Sequence, residues 1–270
     1  VKKPVLRLGG VASSNAAQAQ NRLLDMVEPI KAKKPYRIAY SSADMNADFF
    51  LALAYGVLDE AQQSGVQVVR VLSAGGYGRV AEQVAQLEEL NTLNLDAVIL
   101  VSAAFDGFDK VVDRLVEKGT KVIMVGTPIS SPKVSLAVMQ NEPAIGKMEA
   151  DYICKQKPGA TVITLPGPPG SEWNKLRFDG FKAAAEQCEL KLVGNTYAGN
   201  ISIDEGQRQA GDWLLKESRC GLYLCRRRNL CRWCGSAGQT HAFACQSGDR
   251  EFHPADRRTA QGRINGDGGE

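Results

Sequence analysis

The sequence contains no long hydrophobic run and almost no histidine. No stretch approaches the roughly 18 consecutive apolar residues of a membrane-spanning helix. Neither of the two histidines occurs before residue 241, and the G-x-S-x-G and H-E-x-x-H signatures of hydrolases and metallopeptidases are missing. These absences favour a binding protein over an enzyme, and we predict neither a cofactor nor a metal site.

An excess of one charge is also missing from most of the chain. Residues 1–218 carry 24 Lys and Arg against 25 acidic residues, whereas residues 219–270 carry nine Arg, no Lys and five acidic residues. The positive excess therefore belongs to the last segment, and the main part has no electrostatic footprint for nucleic acid. We predict no nucleic-acid partner.

From Tyr36 onward, short apolar strands alternate with amphipathic helices. The segment 48–64 has apolar residues in the i, i+3, i+4, i+7 spacing of a helix that ends at Gly65. The run "DAVILVS" is continuously apolar, as in a parallel strand that is buried on both faces. The alternation predicts an α/β fold of two Rossmann-like, doubly wound lobes, with the second lobe incomplete.

The alternation breaks near residues 128–138 and then restarts, which predicts a boundary there. The basic N-terminal segment contains the triplet Ala17-Gln18-Ala19 but lacks the continuous apolar stretch of an export signal. We assign four segments: 1–34 as a leader or signal remnant, 35–130 as the N-terminal α/β lobe, 131–219 as a partial C-terminal α/β lobe, and 220–270 as an aberrant, disordered tail.

Polar and aromatic side chains follow the predicted strands, where ligands of open α/β sheets bind. Aromatic faces attract cations or stack on sugars, so rings beside a few polar groups fit a small polar ligand. The candidate ligand-binding residues are Asp48, Phe49, Phe50, Tyr77, Asn141, Glu142, Trp173 and Lys175.

Each candidate also has a purely structural alternative. At least one of Phe49 and Phe50 is expected in the core, and acidic residues at helix starts commonly cap the helix. The "GGYG" turn that carries Tyr77 lacks the spacing of a phosphate-binding loop. Trp173 lies on a Pro/Gly-rich loop outside any core pattern, so a structural role explains it least well.

The cysteines fall into two groups. Cys154 and Cys188 lie 34 residues apart within helical patterns, and we expect buried free thiols rather than a disulfide. The other five lie between residues 220 and 245 and leave one cysteine unpaired in any disulfide knot. A zinc site would have only one C-x-x-C pair, and its ligands would come from Cys225, Cys231, Cys234, His241 and Cys245.

We favour a third interpretation of residues 220–270, a change of reading frame near Cys220. Lys, Val and the strand pattern are lost together there, while Arg, Cys and Gly increase. Translation of the other frames past codon 220 tests this interpretation, which fails if no frame restores an α/β pattern.

Several segments resemble the type I periplasmic solute-binding proteins of the ribose-binding class: "DFFLALAYGVLDEAQQSGVQVVRVLSAGGYG", "LDAVILVSAAFD", "QNEPAIGKMEADYI" and "VITLPGPPGSEWNKLRFDGFKAAA". The resemblance runs from about residue 34 to about residue 220. Within the class it is greatest to the TorT group, periplasmic proteins that sense trimethylamine N-oxide with a TorS-type membrane sensor histidine kinase. The resemblance implies two lobes that close over a small-molecule ligand, a periplasmic location, and such a kinase as partner.

The resemblance also implies roles for single residues. Tyr77 matches the TorT group's tyrosine in the Gly-Gly-Tyr turn, Phe49 and Phe50 stand at a Tyr-Trp pair, and Glu142 stands near a cage tryptophan. Phe49, Phe50 and Lys175 resemble residues that hold sugars in other relatives. Trimethylamine N-oxide and a sugar both stay open as the ligand, and a sugar-binding component of an ABC transporter is the alternative function.

The segment 220–270 has a consequence for binding. Because it does not continue the second lobe, the sheet of that lobe would have an uncovered edge and an unfinished core. We therefore expect the 270-residue chain to bind its ligand weakly or not at all. A ligand-induced rise in the melting temperature of the purified chain would contradict this expectation.

Overall fold

The computed structural model describes residues 5–8, 30–194, 197, 199, 201–216 and 241–245. In its first part, parallel strands form a six-stranded sheet in the order β1-β6-β5-β4-β2-β3. The strands are β1 (Val5–Leu8), β2 (Arg37–Ser42), β3 (Gln67–Ser73), β4 (Ala97–Leu100), β5 (Lys121–Val125) and β6 (Leu136–Gln140). The helices that follow β2, β3 and β4 are α1 (Asp48–Ser64), α2 (Val80–Leu90) and α3 (Asp109–Glu117).

Helices cover both faces of this sheet because neighbouring strand residues point to opposite sides. Ala39 of β2 packs into a core that includes Leu87 of α2 and Val111 of α3. Tyr40, the next residue, packs into a separate core with Phe50 of α1. A strand with both faces buried explains the continuously apolar β4.

A three-stranded sheet forms the second part, in the order β8-β7-β9. Strands β7 (Thr161–Leu165) and β8 (Lys191–Val193) are parallel, and β9 (His241–Cys245) pairs with β7 in the antiparallel direction. Its helices are α4 (Glu142–Gln156), α5 (Glu172–Gln187) and α6 (Ile203–Lys216). A core of small and aromatic residues, among them Ala150, Phe178 and Phe181, lies between β7 and the α4–α5 pair.

The predicted α/β class with parallel sheets is confirmed, but the place where the second series begins is wrong. The sequence starts that series at residue 131, whereas β6 pairs with β5 and belongs to the first sheet. Two Pro residues before β6 interrupt the pattern without ending the sheet. Two further strands, β1 and β9, lie inside the segments predicted as leader and as tail. The remaining domain division stays a prediction.

Helices α4 and α5 cross at two glycines with their backbones in close contact. A Cβ atom at Gly146 of α4 would overlap the carbonyl oxygen of Arg177, and one at Gly180 of α5 would overlap the carbonyl oxygen of Pro143. Only a residue without a side chain fits at either position. The crossing fixes α5, and with it the N-terminal turns of α5, relative to α4.

A disulfide joins the ends of the same two helices. Cys154 of α4 and Cys188, the residue after α5, are bonded, with their Cα atoms 5.9 Å apart. The expectation of two free thiols is wrong, because burial alone does not separate a thiol from half of a disulfide, and the distance that decides is set by the helix crossing. A disulfide of this kind fits an oxidising compartment.

Loss of this disulfide is expected to destabilise the fold. The bond closes a loop with a sequence separation of 34 residues, and the chain-entropy account gives such a bond about 2–4 kcal/mol of stability. In urea unfolding, Cys154→Ala/Cys188→Ala should therefore lower the midpoint. Dithiothreitol should lower the midpoint of the wild type but not that of the double variant, and an equal effect on both would contradict the assignment.

Within the described residues, no helix is long and apolar enough to cross a membrane. Among the same residues, no group of three or more His, Cys, Asp or Glu could hold a metal ion. Three of the cysteines considered above as zinc ligands, Cys225, Cys231 and Cys234, lie outside the described part of the chain.

Candidate functional site

Loops from the carboxyl ends of strands in both sheets meet at the candidate site. The turn after β3 has positive φ at Gly75, Gly76 and Gly78, a conformation that glycine adopts without strain, and it carries Tyr77. The Pro/Gly-rich turn after β7 leads into α5, whose first turn carries Trp173. The expectation that Trp173 lies on the loop itself is wrong, because the helix already begins at Glu172. The parts of the chain built around the six-stranded and the three-stranded sheet, called the two lobes below, also touch through their backbones, where the N–H of Phe105 donates to the carbonyl oxygen of Gly170 at 3.1 Å.

Four aromatic rings form a continuous chain across the two lobes. Phe49 contacts Phe50 edge-on with centroids 5.3 Å apart, Phe50 lies 6.0 Å from Tyr77, and Tyr77 lies 6.1 Å from Trp173. Phe50 and Trp173 are buried, whereas Phe49 and Tyr77 are half-buried. The Tyr77–Trp173 contact is the point at which an aromatic ring of one lobe meets one of the other.

The hydroxyl of Tyr77 contacts a residue of its own lobe. It is 3.4 Å from the hydroxyl of Thr127, a buried residue of the loop after β5. Burial raises the pKa of Tyr77 to about 12, and the contacts with Thr127 and Trp173 oppose that rise. Tyr77 is therefore a neutral hydrogen-bonding group at physiological pH.

Beneath Trp173 lies a buried ion pair between the two crossing helices. Nε and Nη2 of Arg177 donate to Oε2 of Glu142 at 2.8 and 2.6 Å, and the two side chains are 3% and 2% exposed. The guanidinium carbon lies 5.1 Å from the Trp173 ring centre, within cation–π range. Burial raises the pKa of the Glu142 carboxyl, and Arg177 opposes the rise. The pair holds one face of the Trp173 ring.

Polar atoms without hydrogen-bond partners gather on the first two turns of α5. Among the described residues, no partner is found for the buried atoms Ser171 Oγ, Trp173 Nε1, Asn174 Oδ1 and Arg177 Nη1. The indole N–H of Trp173 lies near the Tyr77 hydroxyl but does not reach hydrogen-bonding geometry. Buried polar atoms are usually paired, so four unpaired ones on seven consecutive residues indicate a site whose partner is a ligand or water.

Three predicted site residues lie apart from these rings. Asp48 is exposed at the start of α1. Asn141 caps α4, with its Oδ1 accepting from the N–H of Ala144 at 3.4 Å. Lys175 is exposed, and its Nζ lies 3.6 Å from the carboxylates of both Glu172 and Asp179. Their roles in binding stay predictions, as do those of the residues that the structure brings together: Phe49, Phe50, Tyr77, Glu142 and Trp173.

Sequence reasoning missed Arg177, Asn174, Ser171 and Thr127. The sequence feature that could have identified Arg177 is its position four residues after Trp173, which places both side chains on one face of a helix. An arginine between the apolar positions of α5 also requires a carboxylate partner, because a buried charge is rarely left unpaired. The partner, Glu142, is 35 residues away along the chain, and only the fold brings the two together.

Comparison with known proteins supports the resemblance. TorT of Escherichia coli, a periplasmic protein, is 27% identical over 179 residues, which are 65% of this chain and 51% of TorT. The ribose import binding protein RbsB of Bacillus subtilis is 27% identical over 162 residues, 60% of this chain and 52% of RbsB. The chain thus spans about half the length of the curated relatives it matches.

A solved structure is more similar still. The substrate-binding protein of a sugar ABC transport system from Bordetella parapertussis is 38% identical, with a TM-score of 0.70 over 73% of this chain and 62% of that one. A myo-inositol-binding protein from Caulobacter, at 24% identity and a TM-score of 0.63, shares the fold.

The family described as the periplasmic binding protein domain matches residues 38–225, which include both described sheets apart from the strands β1 and β9. The match contains the turn that carries Tyr77, the helix crossing and the buried polar turns of α5. It confirms the predicted family and, with it, the predicted periplasmic location. This chain belongs to the periplasmic binding proteins, of the type I superfamily.

Proposed function

We propose that this protein binds a small hydroxylated ligand between its two lobes, without catalysing a reaction. The aromatic rings of Tyr77 and Trp173 contact the ligand on one side, and the buried polar atoms at the start of α5 contact it on the other. Binding agrees with the family and with two of the relatives named above, RbsB and the Bordetella protein, which are binding proteins. The weak binding expected from the sequence corresponds to a Kd in the millimolar range, or about −4 kcal/mol.

The class of ligand that we propose follows from the unpaired polar atoms of α5. The indole N–H of Trp173 and Nη1 of Arg177 are donors, Asn174 Oδ1 is an acceptor, and the Ser171 hydroxyl is both. A ligand that fills this set must offer acceptors and at least one donor. Vicinal hydroxyl groups do both, so a sugar or another polyol fits better than a ligand with acceptors alone.

Trimethylamine N-oxide is the second candidate. The aromatic rings and the similarity to TorT favour it, since ring faces attract a methylated cationic nitrogen. Its oxygen accepts hydrogen bonds but donates none, so Asn174 Oδ1 would stay unpaired at a cost of about 1–3 kcal/mol. One face of Trp173 is also already covered by the Arg177 guanidinium.

The membrane partner of the liganded protein depends on which ligand it binds. A polyol favours a membrane transporter, in line with the similarity to the Bordetella and RbsB proteins. An amine oxide favours a TorS-type sensor kinase, in line with the similarity to TorT. Permease genes beside this gene would support the first role, and a sensor-kinase gene would support the second.

Isothermal titration of the 270-residue chain with D-ribose, myo-inositol and trimethylamine N-oxide tests the ligand class. At least one polyol should bind more tightly than the amine oxide. Trp173→Phe keeps a ring but removes the indole donor, so polyol affinity should fall about 5- to 10-fold, the loss of one neutral hydrogen bond. Trp213→Phe, a change in α6 away from the site, is the matched control and should leave affinity unchanged.

Two results would overturn the choice of a polyol. One is tighter binding of trimethylamine N-oxide than of either polyol. The other is an equal loss of affinity in Trp173→Phe and Trp213→Phe, which would mean that the indole N–H makes no contact with ligand. Absence of any heat with all three compounds at concentrations of about 50 mM, well above a millimolar Kd, would contradict the proposed binding itself.

A further inference from the structure

Glu149 lies beside the ion pair that supports Trp173. It stands on α4 seven residues after Glu142, two helical turns, so both carboxylates lie on one face of the helix. Between them is Gly146, whose Cα packs against the backbone of Arg177. Arg177 therefore packs against α4 at Gly146, with Glu142 on one side along the helix and Glu149 on the other.

The guanidinium of Arg177 is committed to one of these two carboxylates. Nε and Nη2 donate to Glu142, while Nη1 is buried and has no hydrogen-bond partner in the described part of the chain. The charged groups that act on Glu149 are Arg177 of α5, which attracts its carboxylate, and Glu142 of its own helix, which repels it. Nη1 is the free donor that an ionised Glu149 would attract.

We propose that Glu149 regulates the candidate ligand site by gaining and losing a proton, an inference that rests on the proposed function. With Glu149 neutral, Arg177 stays paired with Glu142 and remains under the Trp173 ring. With Glu149 ionised, the second carboxylate competes for the guanidinium and draws it away from Trp173. The ring then loses its support on that face, and ligand binding weakens.

The position of Glu149 brings its titration into the neutral range. Burial raises the pKa of Glu149 from its ordinary 4.5 to about 7, and the attraction of Arg177 opposes the rise. Three lysines of the α4–α5 pair are engaged with carboxylates on the exposed surface: Lys147 with Asp151, and Lys175 and Lys182 with Asp179. Arg177 is the cation whose charge acts on Glu149.

The direction of the effect follows from the raised pKa. Since the folded protein holds this proton more tightly than the unfolded chain, neutral Glu149 stabilises the described arrangement. The stabilisation is complete below about pH 4.5 and is lost as the pH rises towards about 7. Stability should therefore fall over this interval, and ligand affinity should fall as the pH rises through about 7, where Glu149 of the folded protein loses its proton.

The first experiment needs no ligand. Urea unfolding midpoints of the wild type, Glu149→Gln and Glu186→Gln are measured between pH 4.5 and pH 8. Glutamine stays neutral, so Glu149→Gln should show a smaller fall in midpoint with rising pH than the wild type. Glu186, an exposed residue of α5, is the matched control, and Glu186→Gln should follow the wild type.

The second experiment measures affinity for D-ribose, or for whichever of the three compounds binds more tightly, at pH 5.5 and pH 8. The Kd of the wild type should rise about 3- to 10-fold, within the limit of tenfold per pH unit for one proton. The Kd of Glu149→Gln should change by less than about 1.5-fold. Glutamine exchanges no proton at this position, so the affinity has no pH dependence from this residue.

The outcomes separate this inference from the proposed function. Parallel pH profiles of wild type and Glu149→Gln in the unfolding experiment would overturn the regulation. So would a smaller fall in the midpoint combined with the same pH dependence of affinity in both proteins. A smaller fall in the midpoint without any ligand binding would support the proton-dependent cluster and contradict the binding function.

Discussion

Gly146→Ala is expected to lower the free energy of unfolding by about 3 kcal/mol or more, at the upper end of overpacking effects. The added Cβ would overlap the carbonyl oxygen of Arg177 and would lie 2.8 Å from the backbone nitrogen of Phe181. Both are backbone atoms of α5, so the clash is relieved only if the two helices separate. Gly180→Ala meets Pro143 in the same way and should have a similar effect.

The matched control for this change is Gly56→Ala. Gly56 lies within α1, and a Cβ there has open space around it. Alanine should raise the free energy of unfolding by about 0.5–1 kcal/mol, because it costs less backbone entropy in a helix than glycine. Equal urea midpoints for Gly146→Ala and the wild type would contradict the close approach of α4 and α5.

Arg177→Met is expected to lower the free energy of unfolding by about 3–5 kcal/mol, since it leaves the Glu142 carboxylate buried without its partner. Glu142→Leu should destabilise for the converse reason. The double variant Glu142→Leu/Arg177→Met removes both charges, and it should recover most of the loss because an apolar pair needs no desolvation of ions. Urea unfolding of the four proteins measures the coupling between the two side chains.

An exposed ion pair on α4 is the control for this cycle. Lys147 and Asp151 pair at 2.7 Å on the surface, and Lys147→Ala should cost less than about 0.5 kcal/mol. If Arg177→Met costs no more than Lys147→Ala, the Glu142–Arg177 pair is not buried as described. Additive effects of the two single changes would equally contradict a direct contact.

The α/β class could be predicted because each element has its own local pattern. Helix α1 has the apolar spacing and the terminal Gly65, and β4 has the unbroken apolar run of a central strand. Which sheet a strand joins is not a local property, and β6 shows this. It follows a Pro-rich break like the start of a new lobe, yet it pairs with β5.

The aromatic residues of the candidate site could be selected from the sequence because they follow the carboxyl ends of strands, although Phe49, Phe50 and Trp173 lie in the first turns of helices, and their roles in binding stay predictions. The polar part could not be, because it depends on contacts between distant residues. Arg177 and Glu142 meet only through the Gly146–Gly180 helix crossing, and the same crossing brings Cys154 to Cys188. The position of a cysteine or arginine within a helical pattern does not show which residue is its partner.

Ligand binding against Trp173 at the junction of the lobes can be observed directly. The indole N–H resonances of the 270-residue chain, labelled with nitrogen-15 at its three tryptophans, test it directly. Trp173→Phe identifies the resonance of Trp173, and Trp213→Phe identifies that of Trp213. During titration with D-ribose or myo-inositol, the Trp173 resonance should shift and saturate while the Trp213 resonance stays in place. A Trp173 resonance that does not move with either polyol or with trimethylamine N-oxide would contradict the account.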